Sequence, residues 1–65
     1  MKLNKEMLKQ LRKEKGLTQM KLANEIYVSR TLITKYETGA VFPTKDNLDK
    51  LASFFGIKAS NLVLN

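Results

Sequence analysis

The chain has no cysteine, no histidine, one proline and three glycines among its 65 residues. Without cysteine there is no disulfide and no thiolate metal site. Without histidine the usual general base and the commonest zinc ligand are both missing. No apolar run approaches the roughly 20 residues needed to span a bilayer. The opening MKLNKEMLKQ is amphipathic and carries Glu6, so it does not read as a signal peptide. The cytoplasm is the expected compartment, with no membrane contact. No linker, repeat or low-complexity stretch interrupts the chain, and one domain over 1–65 is expected. A domain of that size buries only about 60% of its unfolded surface, so its stability margin is narrow. No cofactor, metal or small-molecule ligand is implied.

Negative charge is also scarce. Lys and Arg number 12 against 6 Asp and Glu, a net charge of +6 with a pI near 9.9. That balance favours a polyanionic partner. The excess is concentrated in residues 1–15, where Lys2, Lys5, Lys9, Arg12, Lys13 and Lys15 face only Glu6 and Glu14. Individually these lysines read as the solvated face of a helix; together they set a positive field. Asp46 and Asp49 share a helical face, as paired acid/base carboxylates would. They read better as first-turn decoration complementing a helix dipole. No catalytic residue is assigned, and the protein is not read as an enzyme.

The chain is organised around Thr18 to Gly39, TQMKLANEIYVSRTLITKYETG. Leu22, Ala23 and Ile26 form one amphipathic set; Ile33 and Tyr36, entered through Val28, form a second. Spacings of three and four place each set on one helical face. Thr18 and Ser29 stand where each helix begins, and a hydroxyl there satisfies an unpaired backbone N–H. Two capped helices on so short a tether must cross steeply, as in a helix-turn-helix. The spacing predicts helices over about Gln19 to Ile26 and Arg30 to Thr38, the latter stopped by Gly39.

Upstream, Asn4 caps a helix to about Lys15 with the stripe Met7, Leu8 and Leu11; Gly16 ends it. Downstream, Pro43 disfavours helix at Phe42. Thr44 then caps a helix over about Lys45 to Phe55, striped by Leu48, Leu51, Ala52 and Phe55. Gly56 stops it, and a short fifth helix spans about Ala59 to Leu62. The reading is five helices and no strand. Leu3 is an optional member of the Met7, Leu8 and Leu11 stripe, and the expected core is Leu8, Leu11, Leu17, Leu22, Ala23, Ile26, Val28, Ile33, Tyr36, Leu48, Leu51, Ala52, Phe55, Ile57 and Leu62.

The ordered set Thr18-Gln19, Leu22-Ala23, Val28-Ser29-Arg30, Ile33, Glu37, Gly39 and Pro43 resembles the phage-repressor and Cro-type helix-turn-helix family, also called Xre-like. Arg12, Leu17 and the run Leu48, Leu51, Ala52, Phe55-Gly56-Ile57 extend the likeness from about Leu8 to Leu62. The resemblance implies an all-α, compact five-helix, lambda-repressor-like fold. It implies a sequence-specific regulator of transcription, of the repressor kind, reading the major groove of double-stranded DNA with its third helix. One departure stands out: family members commonly carry glycine where this chain has Tyr27. Glycine tolerates positive φ, and an aromatic residue there is either strained or forces a different turn.

Arg30, Thr31, Thr34 and Lys35 lie opposite Ile33 and Tyr36 on the third helix. Arginine bonds guanine O6 and N7 in a fork, and threonine donates, accepts or touches a thymine methyl. By resemblance, Arg30, Thr31 and Lys35 match positions that meet base edges. Thr18, Gln19, Ser29 and Thr38 are candidates for phosphate, Gln19 foremost because it opens a helix whose N-terminus favours anions. The resemblance pairs Arg12 with Glu37 between the first and third helices, a structural role. The Ala40-Val41-Phe42 loop lacks the basic residues that the family often has there. Two copies on a palindromic operator would double the base contacts, so a homodimer on DNA is expected. Ile57, Leu62, Val63 and Leu64 are its candidate surface. The competing reading is a protein-interaction module, antitoxin-like or held by a partner, touching through Val41, Phe42 and Leu64.

Overall fold

The computed structural model describes residues 1–65. In chain order it contains a strand β1 (Lys2–Leu3) and α1 (Lys5–Glu14), then α2 (Gln19–Glu25) and α3 (Arg30–Thr38). After these come α4 (Lys45–Phe55), a 3-10 turn (Ala59–Leu62) and a strand β2 (Val63–Leu64). The expectation of five α-helices gives way to four. The fifth is a single 3-10 turn of four residues, too short to complete two α-helical turns.

The expectation of no strand is also corrected. β1 and β2 pair antiparallel, Lys2 opposite Leu64 and Leu3 opposite Val63. The Asn4 N–H then donates to the Leu62 carbonyl at 2.7 Å. Two residues per strand leave no periodicity to read, and their partners lie at opposite ends of the chain. The pairing draws Leu3 into the core, where it is buried.

Local signals hold at each helix start. Asn4, Thr18, Ser29 and Thr44 accept through their side chains from the N–H groups of Met7, Lys21, Leu32 and Asn47 at 3.1–3.2 Å. The helix ends share one device as well. Gly16, Tyr27, Gly39 and Gly56 follow α1 to α4 with φ of +69°, +60°, +80° and +68°. The next residue's N–H reaches back in each case: Leu17 to the Arg12 carbonyl, Val28 to Ala23, Ala40 to Lys35 and Ile57 to Ala52, all at 2.9–3.1 Å. This is a Schellman closure. All three glycines of the chain serve it, and Tyr27 serves the fourth. Tyr27 as a whole is 88% exposed, so packing does little to offset the left-handed strain of about 1–2 kcal/mol.

One cluster of ten buried side chains holds the elements together: Leu3, Leu8, Leu22, Ala23, Ile26, Ile33, Tyr36, Leu51, Ala52 and Leu62. Each large member contributes about 1.5–3 kcal/mol relative to exposure. Leu11, Leu17, Val28, Leu48, Phe55 and Ile57, also expected inside, are partly buried around its margin. The Tyr36 hydroxyl, carried into the core, accepts from Asn47 Nδ2 at 3.0 Å. Phe54 meets Phe55 edge to face at 5.1 Å, and Lys15 Nζ stands 5.2 Å above the Phe54 ring. No helix is long and apolar enough to cross a membrane.

Candidate nucleic-acid interface

The sequence of α3 sorts its residues by helical angle. Ile33, Tyr36 and Glu37 fall on the buried side, while Arg30, Thr31, Lys35 and Thr38 are exposed. Thr34 sits between them, half-buried, on the flank turned toward α2. The outward face therefore carries two cations and two hydroxyls with no apolar side chain among them.

Beneath that face lies a polar network that joins α1, α2 and α3. The Glu37 side chain is 3% exposed. Its Oε2 accepts from Arg12 Nε at 2.6 Å and its Oε1 from Arg12 Nη2 at 3.1 Å. Arg12 Nη1 donates to the Leu17 carbonyl at 2.9 Å, which ties the α1–α2 link to the same guanidinium. The resemblance implied this pair, and the two-pronged geometry explains why arginine stands there rather than lysine. A carboxylate this deep needs its cation, because an unpaired buried charge costs about 3–5 kcal/mol.

Gln19 belongs to the network too, which sequence reasoning missed. Its Nε2 donates to Glu37 Oε1 at 3.1 Å, and its Oε1 accepts from the Thr34 hydroxyl at 2.9 Å. A signal was available: Thr34 and Glu37 are i and i+3 on α3, so both can meet a residue at the start of α2. What sequence could not supply was the approach of the two helices. Lys5, read in the sequence only as part of the positive field, lies beside α3. Its stem passes 3.5 Å from where a Cβ on Gly39 would sit, which holds its ammonium at the C-terminal end of α3.

Thr18 and Ser29 are exposed, and each hydroxyl accepts a backbone N–H as a cap. The proton of each remains free to donate outward, as a phosphate oxygen requires. Thr38 differs, since its hydroxyl donates to the Lys35 carbonyl at 3.2 Å. The structure thus brings Arg30, Thr31, Thr34, Lys35 and Thr38 onto one side of α3, with Gln19 at the flank.

The C-terminal residues are placed otherwise. Leu62 is fully buried, so its assignment to an intermolecular surface is corrected: burial leaves it nothing to present. Its place in the expected core stands. Ile57 and Val63 are partly exposed and Leu64 is 44% exposed. Met1, Phe42, Leu48, Ala59 and Val63 line an open apolar groove near this end, edged by Lys45. Asp49 bonds Lys45 at 3.0 Å, and that hydrogen bond, with the Asp49 and Asp46 charges, raises the Lys45 pKa above its ordinary value.

Residues 5–65 match a family model described as a helix-turn-helix domain. The HTH-type transcriptional activator BcrR of Enterococcus faecalis is 43% identical over 58 residues, 89% of this chain and 28% of that protein. The cryptic phage CTXphi transcriptional repressor RstR of Vibrio cholerae is 36% identical over 56 residues, 86% of this chain and 50% of that protein. The chain thus spans half or less of these two relatives. Among solved structures, the P22 c2 repressor protein in complex with synthetic operator 9T is similar with a TM-score of 0.89 and 24% identity. That likeness covers 97% of this chain and 96% of that one. It speaks for the fold.

Proposed function

The chain belongs to the helix-turn-helix domain family, and on that premise we propose that it binds double-stranded DNA sequence-specifically as a transcriptional regulator of the repressor kind. The observation that carries this reading is the two-sided character of α3. One side is locked by the Arg12–Glu37–Gln19 network; the other presents Arg30, Thr31 and Lys35 to solvent. A rigidly held helix with a cationic, hydroxyl-bearing face suits a major groove, whose edges carry the acceptors and methyls that such side chains read. In this reading Arg30, Thr31, Thr34 and Lys35 meet bases. Thr18, Gln19 and Ser29 meet phosphate, which positions the domain without selecting sequence. Thr38 reaches a phosphate only by turning its proton away from the Lys35 carbonyl. The net charge of +6 supplies the attraction that precedes any specific contact. Its place of action is the cytoplasm, with no catalytic step.

Two copies act together on a palindromic operator. One recognition helix spans few base pairs, and the discrimination of about 4–10 kcal/mol typical of regulators needs more contacts than it offers. The copies place their helices about 34 Å apart, one duplex turn. With Leu62 buried, the surface that remains for pairing is Ile57, Val63 and Leu64. Changing Leu64 to lysine should reduce cooperativity on the operator; unchanged cooperativity would move the interface elsewhere.

The apolar groove lined by Met1, Phe42 and Val63 favours a second reading, a protein-interaction module that touches its partner there and through Val41. Titrating random duplex DNA against salt separates the two. DNA binding requires affinity at low salt and a steep negative slope of log affinity against log salt. No binding at low salt leaves the interaction module.

A further inference from the structure

The hydroxyls around α3 do not all point their protons the same way, and the buried ion pair decides which way one of them points. Arg12 holds Glu37 as an acceptor on both carboxylate oxygens. Glu37 Oε1 therefore accepts from the neighbouring amide of Gln19, which must present Nε2; the flipped amide would set its oxygen against a carboxylate. With Nε2 fixed on Glu37, Gln19 Oε1 faces Thr34 and accepts the Thr34 proton at 2.9 Å. The second partner within reach of that hydroxyl is the Arg30 carbonyl at 3.2 Å, also an acceptor. A hydroxyl has one proton, and here every protein partner takes it. Toward solvent Thr34 offers only lone pairs.

We propose that Thr34 is a specificity-determining residue whose acceptor-only hydroxyl selects an amino base, adenine or cytosine, over a keto base, guanine or thymine, on the DNA strand it faces. This rests on the DNA-reading function proposed above. The adenine N6 and cytosine N4 amines donate into the major groove, where the guanine O6 and thymine O4 only accept. A phosphate oxygen also only accepts, so the same polarity turns Thr34 away from the DNA backbone. Gln19 has the opposite polarity. Its Oε1 is occupied and one Nε2 proton remains, which fits it to phosphate. Thr18 and Ser29, which accept from backbone N–H groups, likewise have protons to give outward. The flank of α3 thus alternates donors for the backbone with one acceptor for a base.

The test is selection of bound sequences from a randomised duplex pool by the wild-type chain and by Thr34→Val, which keeps shape and removes the oxygen. The wild-type consensus should contain one strand position enriched in adenine or cytosine. That preference should fall roughly two- to tenfold in the valine variant, the range for one neutral hydrogen bond. Gln19→Leu should keep the amino-base preference at the same position, since the Arg30 carbonyl at 3.2 Å still takes the Thr34 proton; a switch to guanine or thymine there would overturn the assignment. A second measurement needs no variant protein. If the selected base is adenine, it is replaced by purine, and if cytosine, by its analogue without the 4-amino group. Wild-type affinity should drop by a similar factor. Identical consensus positions for wild type and Thr34→Val, a Thr34-dependent position that carries a keto base, or no loss on removing the amine would each overturn the proposal. If the wild type enriches no sequence at all, the DNA-reading function itself fails and this inference falls with it.

Discussion

The inward and outward sides of α3 are built to opposite rules. On the inward side Ile33, Tyr36 and Glu37 are buried, and every polar atom there has a partner. On the outward side Arg30, Thr31 and Lys35 are exposed, and neither cation forms an ion pair. A side chain with no partner in its own chain contributes little to folding and is free to contribute to binding. One such as Glu37, which accepts three hydrogen bonds in a dry setting, contributes to folding and cannot be spared. The difference separates residues that hold the helix from residues left open to a partner, although both groups are polar and only a few positions apart.

The largest effect should come from the inward side. Glu37→Ala should lower stability by about 3–5 kcal/mol, because it strands the Arg12 guanidinium beneath the surface. Urea unfolding measures this, and a loss under 1 kcal/mol would mean that water replaces the carboxylate. Arg30→Ala, on the outward side, should leave the urea midpoint in place. It should weaken specific DNA binding by about 1–3 kcal/mol while random-duplex binding falls much less. Equal losses on both duplexes would reassign Arg30 to phosphate.

Two smaller changes probe the edges of the contrast. Tyr27 has positive φ like the glycines, yet it is largely exposed and has little packing for a glycine to lose. Tyr27→Gly should relieve about 1–2 kcal/mol of strain. Glycine's larger unfolded-state entropy returns about 0.4–1 kcal/mol of that. The variant should fold, with a modest net gain in its thermal midpoint; a lower midpoint would show that the turn draws support from the ring. The smallest effect belongs to the exposed Lys45–Asp49 pair. Its contribution is full below the unfolded lysine pKa and disappears as pH rises through the raised folded value. Asp49→Asn should leave stability at neutral pH unmoved within error, and any difference from wild type should shrink further in strong alkali. A clear loss at neutral pH would mark a surface pair as structural.

Much of this arrangement was open to reading before any fold was known. The four caps and the stops at Gly16, Gly39 and Gly56 act within a few residues of themselves, so they are visible wherever they occur. Tyr27 was visible as a misfit for the same reason, and its φ of +60° agrees. The inward stripes followed from helical periodicity. The Arg12–Glu37 pair, 25 residues apart, came from family likeness and not from spacing. Leu62 shows the limit of pattern. An apolar residue near a chain end reads equally well as core or as contact surface, and only the pairing of β1 with β2 and the Asn4–Leu62 bond place it inside.

By itself, then, the order of residues determined where helices begin and end, which stripe of each turns inward and that the chain would be strongly basic. Those outcomes rest on forces that act across one or two turns, or on a simple sum of charges. The tertiary structure alone decided that the two ends meet as a strand pair, that Gln19 joins the buried ion pair, and which way the Thr34 proton points. Each of these depends on atoms from separate elements coming within about 3 Å. A hydrogen bond has a direction only when both its partners are in place.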